Sequence, residues 1–215
     1  MYRHPTSEHN EATIKLVQTN FKNQMKDSIL YLFFFIMLLA SCSKASPKVD
    51  EALLDAAEQG DAAAQMKVAL AYDEAGDPAE AARWYALAAE KGVSEAQNNL
   101  GVMYKDGQGV SQDYAEAARW FMMAASQGNT LSQLNLGWLY HAGKGVNQDA
   151  DSARYWYTLA AEKGHATAWL NLGILSLQQG DTTLAVSHLQ QAASMGNEGA
   201  QRILKGIHQI TEQER

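Results

Sequence analysis

The chain repeats itself. Glycines fall at 60, 92, 128, 164 and 196, spaced 32, 36, 36 and 32 residues apart, and the text around them recurs. GVSEAQNNLGVMY opens at Gly92, GNTLSQLNLGWLY at Gly128 and GHATAWLNLGILS at Gly164. The second half of each period recurs too: EAARWYALAAEKG closes at Gly92, EAARWFMMAASQG at Gly128 and SARYWYTLAAEKG at Gly164. Self-similarity at this period implies stacked supersecondary units, none of which can bury its apolar face without a neighbour. Few other architectures are compatible with it.

Each unit reads as two helices. Ala96, Leu100 and Tyr104 stand four apart on one face of the first. Gly101 occupies a position where a neighbouring helix must come close, since glycine in a helix interior otherwise costs about 1 kcal/mol against alanine. Glycines 107 and 109, and 143 and 145, end the first helix and turn the chain. Asp113 and Asp149 are expected to cap the second helix. Ala117, Trp120 and Ala124 form its buried face, with Trp84 and Trp156 as the equivalent core tryptophans. Segments starting at 50 (DEALLDAAEQG) and 197 (NEGAQRILKGI) read as half units that cap the two ends. The composition agrees: 47% hydrophobic, 19% charged and three prolines in 215 residues describe a folded, helix-rich chain.

The recurring elements A-x-x-x-L-G-x-x-Y, G-x-G-V-x-x-D, A-x-x-W and A-A-x-x-G resemble the Sel-one-like repeat (SLR), a relative of the tetratricopeptide repeat. The units from Gly92 and Gly128 carry every element. The unit from Gly60 lacks the G-x-G-V turn and has Ala69 for the glycine. The unit from Gly164 lacks that turn as well, and has Ser176 for the tyrosine and His188 for the tryptophan. The resemblance implies an all-α fold, a right-handed superhelical solenoid over residues 50–211. Its units lie near 60–91, 92–127, 128–163 and 164–195.

In such families the first helices line a concave face that receives a peptide or a partner domain. Carried over by position, the groove residues are Asn98, Asn99, Val102 and Lys105, then Leu134, Asn135, Trp138 and His141, then Leu170, Asn171 and Ile174. Met66, Lys67 and Leu70 extend the row. Asn99, Asn135 and Asn171 recur at one register. An amide donates and accepts together, so this ladder suits a peptide main chain, or equally a backbone group within its own repeat. Trp138 stands where the other units have Val102 and Ile174. It fits either a binding anchor or packing against the next first helix, and Trp169 is equally open.

The N-terminal region reads as an address. Ile29 to Ala40 is an uninterrupted apolar run, short for a membrane span and suited to a secretory signal core. Lys26 precedes it, and Leu39-Ala40-Ser41-Cys42 ends it. This resembles the lipobox of bacterial lipoproteins, which implies cleavage before Cys42, lipidation of Cys42, and, with Ser43 following, an outer-membrane lipoprotein facing the periplasm. Residues 1–24 are polar, lack apolar periodicity and are expected to be disordered. Met25 begins what reads as a complete signal over 25–41, so 1–24 are expected to precede the true translation start. Residues 42–49 form a short tether. Loss of four basic and three acidic residues would leave a mature charge of −8, so the acyl chains, not the surface, would hold the membrane.

Net charge −7 with interspersed signs argues against a nucleic-acid partner. The lone Cys42 excludes an intrachain disulfide or a multi-thiolate metal site. No H-E-x-x-H, P-loop or G-x-S-x-G occurs, and the six histidines are dispersed. Asp106, Asp113, Asp149 and Asp151 cluster near turns, where capping accounts for them. No catalytic residue, metal or cofactor is expected. The expected function is a lipid-anchored periplasmic scaffold that binds a protein or peptide. The alternatives are an envelope assembly subunit, as in exopolysaccharide or secretion machinery, and a cell-wall-active enzyme.

Overall fold

The computed structural model describes Pro47 and residues 49–213, with side chains through Gln209. The N-terminal segment 1–24, the signal at 25–41 and Cys42 lie outside the described residues. Ten α-helices and no strand occur among the described residues. A single helix, α1 (Glu51–Glu58), precedes four hairpins: α2 (Ala62–Glu74) with α3 (Pro78–Glu90), α4 (Ser94–Asp106) with α5 (Tyr114–Ser126), α6 (Thr130–Ala142) with α7 (Ala150–Glu162), and α8 (Ala166–Gln178) with α9 (Thr182–Ser194). A last single helix, α10 (Glu198–Gln213), follows. Each helix packs on the one before it and the one after, which makes an all-α solenoid.

All eight hairpin helices are 13 residues long. The two period lengths therefore differ only in the turn within the hairpin. It runs over 75–77 and 179–181 in the short units, and over 107–113 and 143–149 in the long ones. Aspartates start most of the helices. The Asp61 carboxylate accepts from the Ala64 N–H at 2.8 Å, and Asp113 accepts from Ala115 and Glu116 at 2.8 and 3.1 Å. Asp149 accepts from Asp151 at 3.1 Å, so both expected caps are present. Such caps are each worth about 1 kcal/mol.

Alanines let the helices approach. Ala81, Ala88, Ala117, Ala124, Ala153 and Ala160 are all fully buried. Gly101 serves the close approach expected of it, because a Cβ there would lie 2.7 Å from the Phe121 ring. Gly137 and Gly173 stand in the same relation to Tyr157 and Leu189. The eighth residue of each second helix thus occupies the space a first-helix side chain would fill.

Units are stitched by polar ties as well as by apolar burial. The side-chain amides of Gln65, Gln97 and Gln133 donate to the carbonyls of Ala57, Ala89 and Ala125 at 3.0–3.2 Å. Each reaches back to a carbonyl in the last turn of the preceding helix, which also accepts the N–H of the closing glycine (Gly60, Gly92 or Gly128) at 2.9–3.0 Å. The long turns add a second tie. Gly109, at φ +72°, lies against the backbone of Pro78 and Ala79, and Gly145, at φ +71°, lies against that of Tyr114 and Ala115. Each long turn therefore presses on the first turn of the second helix in the unit before.

Trp84 and Trp120 are core residues, 3% and 5% exposed, with Arg83 and Arg119 laid over their rings. Trp156 differs from expectation, being only partly buried. No long turn follows in the last unit to cover the start of α7, and Trp156 instead meets the exposed Tyr155 edge-on at 4.9 Å.

In the last unit, the two residues that depart from the repeat meet each other. Ser176 Oγ lies 3.4 Å from His188 Nδ1, and Trp169 stacks obliquely on His188 at 5.6 Å. Burial holds the His188 imidazole below its ordinary value, and Arg154 adds to the effect against Asp181 and the Leu172 backbone. The folded chain therefore prefers neutral His188. Its stabilising contribution is present above the unfolded value near 6.5 and is lost as pH falls through the folded value. The melting-temperature advantage of wild type over His188→Gln should accordingly shrink between pH 7 and pH 5. An advantage that grows on acidification contradicts this.

Candidate partner-binding face

The first helices of successive units, α4, α6 and α8, lie side by side, and a depression of about 360 Å³ opens on them. Lys105 and Asp106 come from the end of α4, Leu134, Asn135 and Trp138 from α6, and Asn171 from α8. Tyr114, the first residue of α5, completes the wall. Trp138 is 37% exposed, one of eight large apolar side chains that reach solvent to this extent among the described residues. Its ring centroid lies 6.3 Å from that of Tyr114. Lys144, in the long turn held by Gly145, places Nζ 4.8 Å from the Tyr114 ring centroid and 5.3 Å from that of Trp138, and donates to the Tyr114 hydroxyl at 3.3 Å. Lys105 Nζ lies 3.6 Å from Asp106.

The structure brings together five of the ten residues assigned to the groove: Lys105, Leu134, Asn135, Trp138 and Asn171. It places the others differently. Asn98 is 6% exposed, and its Oδ1 accepts from Ser132 Oγ at 2.9 Å, so it ties two units and does not face a groove. Val102 is half-buried against the cluster around Phe121 and Leu136. His141 Nε2 meets Gln178 Oε1 at 2.7 Å, a link between α6 and α8. Asn99 and Ile174 are half-buried outside the depression, Met66 is buried, and Lys67 and Leu70 are exposed. The turn residues Tyr114 and Lys144 were missed. Both sit outside the first helices, and their signal was faint: the other units have Pro78, Ala150 and Thr182 at the position of Tyr114.

The asparagine ladder is not uniform. The Tyr85 hydroxyl, pushed up to about 12 by burial, lies beside Asn99. The Tyr157 hydroxyl, also raised by burial, lies beside Asn171. Neither contact reaches standard hydrogen-bond geometry, but each amide faces a phenol. At the intermediate register the second-helix residue is Phe121. Asn135 has no hydrogen-bond partner among the described residues.

The carboxylates near the turns are engaged. Asp113 and Asp149 cap helices, Asp151 pairs with Arg154 at 2.9 Å and Asp106 with Lys105. Hydrogen bonds from the Ser152 hydroxyl and from backbone hold the Asp149 carboxyl below the usual range. Ser176 is 3% exposed and donates to the Leu172 carbonyl, so its contact with His188 is a core contact. Among the described residues, no cluster of His, Cys, Asp or Glu could hold a metal ion, and no helix is long and apolar enough to cross a membrane.

Stacked helical hairpins with a mixed aromatic and polar depression on one face define a helical-repeat protein. The sequence profile of the Sel1 repeat matches residues 62–93, 94–129, 130–165 and 169–197, and the chain belongs to the Sel1 repeat family. Repeats of this family are typically protein-interaction scaffolds and generally not enzymes.

Among solved structures, the chain is similar to a protective antigen present in uropathogenic Escherichia coli strains that displays an SLR fold. Identity is 34% and the TM-score 0.65, over 71% of this chain and 35% of that one. It is also similar to a Sel1 repeat protein from Oxalobacter formigenes, at 35% identity and a TM-score of 0.62, over 68% of this chain and 63% of that one. The chain thus spans about a third of the first relative and under two thirds of the second. No curated protein matches it.

Proposed function

We propose that the chain is a lipid-anchored periplasmic scaffold that binds a protein or peptide partner on the face of its first helices, over Trp138. The carrying observation is the depression itself. A large aromatic residue is held half-exposed between Tyr114, Lys144 and Asn135, and buried aromatic anchors dominate interface energetics. The anchor and the periplasmic, outer-membrane location rest on the apolar run and on Leu39-Ala40-Ser41-Cys42 with Ser43.

Two measurements test the reading. A photo-crosslinking amino acid at Leu134 should join the chain to a discrete protein in living cells, whereas one at Tyr155, exposed on the second-helix surface, should not. Equal yields of the same product from both positions would remove the assignment of the face. Cys42→Ser should abolish labelling by a radiolabelled or alkyne-bearing fatty acid and release the chain from the membrane fraction. Retention and labelling in that variant would remove the anchor.

A further inference from the structure

A depression of about 560 Å³ opens at the C-terminal end of the solenoid, between the start of α9 and the middle of α10. Thr182, Val186, Leu204, Ile207 and His208 line it. The repeat shows what belongs there. α10 begins as a first helix does, with the Asn197 side chain accepting from the Ala200 N–H at 3.0 Å. Leu204 and Ile207 stand at the registers of Leu100 and Met103 in α4, and of Leu136 and Leu139 in α6. Val186 stands at the register of Ala82 and Ala118. Inside the solenoid these positions are covered. Trp120 shares one core cluster with Ala82, Leu100 and Met103, and Val110 packs against it. Trp156 and Val146 pack against the cluster of Ala118, Leu136 and Leu139. The six covered residues are at most 6% exposed, whereas Val186, Leu204 and Ile207 are only half-buried. The depression is therefore an empty copy of a seat that the chain fills twice with an indole and an aliphatic side chain.

One residue sets this seat apart from the internal ones. Lys205 occupies the register of Gly101 and Gly137, against which the residue after the tryptophan, Phe121 or Tyr157, is pressed. The first unit has nothing larger than Ala69 there. A lysine stem fills the space of that aromatic ring, so the residue after an incoming tryptophan must be small. Lys205 and Arg202 are both exposed and make this edge cationic.

We propose that the C-terminal end is a second binding site, separate from the face over Trp138, and that it takes an amphipathic helix of a partner protein. The helix sets a tryptophan on Val186, Leu204 and Ile207 and carries a small residue directly after it. Side chains lean toward the N-terminus of their own helix, and the incoming helix runs antiparallel to α10, as α5 does to α4. The Lys205 ammonium therefore meets a carboxylate one turn beyond the small residue. A second copy of this chain does not supply such a helix, because Ala52 stands at the tryptophan register of its N-terminal half unit.

The probe is a fluorescein-labelled peptide of residues 108–127 carrying Phe121→Ala and Ala125→Glu, titrated with the full chain in detergent and read by anisotropy. Adding Trp120→Ala to the peptide should weaken binding about 30-fold, as for loss of an aromatic anchor. Restoring Phe121 in the peptide should weaken binding to the wild-type chain about tenfold, and should cost nothing against a Lys205→Ala chain. Val186→Arg in the chain should abolish binding with an unchanged melting curve, since Arg154 stands at that register in the third hairpin. Should that variant unfold, the exposed Lys205→Ala substitution carries the test alone. Trp138→Ala should leave peptide binding unaltered. Binding that is lost in Trp138→Ala but kept in Val186→Arg would overturn this inference and put the peptide on the face proposed above. No binding, or equal binding with and without Trp120→Ala, would overturn it and leave that face untouched.

Discussion

Gly145→Ala is expected to lower the melting temperature by roughly 6–12 °C, the equivalent of about 3 kcal/mol in a chain of this size. Two effects add. The residue sits at φ +71°, where an L side chain is strained by about 1 kcal/mol or more. A Cβ there would also lie 2.2 Å from the Tyr114 carbonyl group and 2.5 Å from the Ala115 nitrogen, and backbone cannot swing aside as a side chain can. Gly164→Ala separates the two terms. Its φ is +85°, but nothing lies within 4 Å of the added carbon, so only the strain remains and a drop of roughly 2–4 °C is expected. Thermal denaturation followed by circular dichroism reads both. Equal losses in the two variants would mean that the long turn is not wedged on the preceding unit. Because Lys144 precedes Gly145, the first variant should also shift Lys144 from its seat over Tyr114 and Trp138.

Trp138→Ala should weaken binding of the partner recovered by crosslinking about 30-fold, near 2 kcal/mol, while changing the stability of the free chain by less than about 1 kcal/mol. The asymmetry follows from exposure. At 37% the indole already contacts solvent in the free chain, so truncation opens no enclosed cavity. In a complex the same ring would be covered, and its area, with the tilted Tyr114 ring and Lys144 beside it, would be removed from water. Titration calorimetry gives the first number and chemical denaturation the second. A binding loss under threefold would show that Trp138 packs against its neighbours without acting as an anchor. A stability loss above about 2 kcal/mol would point the same way.

Much of this was legible in the sequence, because a repeat is its own alignment. The period set the helix pairs, the glycines set the turns, and a glycine inside a helix marked the close approach of a neighbouring helix. What escaped were contacts between units, where a departure in one is answered by a departure in the next. Asn98 stands where the later units have Leu134 and Leu170, and Ser132 where its neighbours have Ala96 and Ala168. Each polar residue looks exposed when read alone. Together they make a 2.9 Å hydrogen bond inside the core. Tyr114 with Trp138 follows the same logic, and Ser176 with His188 shows it within one unit. Helical periodicity assigns a residue to a face of its own helix, but it is silent on which face the next unit covers. The glutamine ties at 65, 97 and 133 were visible as a recurring letter, and their meaning needed the helix-end carbonyls of the preceding unit that they reach.

The wedged turns also set the order in which the molecule comes apart. Gly109 locks the second hairpin onto the first and Gly145 the third onto the second, but the turn at 179–181 is too short to do this for the fourth. That junction keeps its apolar packing of Tyr157 and Ala160 on Ala168 and Leu172, but in place of the wedge it has exposed side-chain links, Arg154 to Gln179 at 2.6 Å and His141 to Gln178 at 2.7 Å, and Trp169 stands where the other units have the glutamine tie. Amide hydrogens of α8, α9 and α10 should therefore exchange as one early-opening block, ahead of α2 to α7. Asn171 travels with that block while Trp138 stays behind. Breathing at the fourth hairpin would widen and narrow the depression without disturbing its aromatic floor, and a ligand gripping both sides would slow exchange in a region it barely touches.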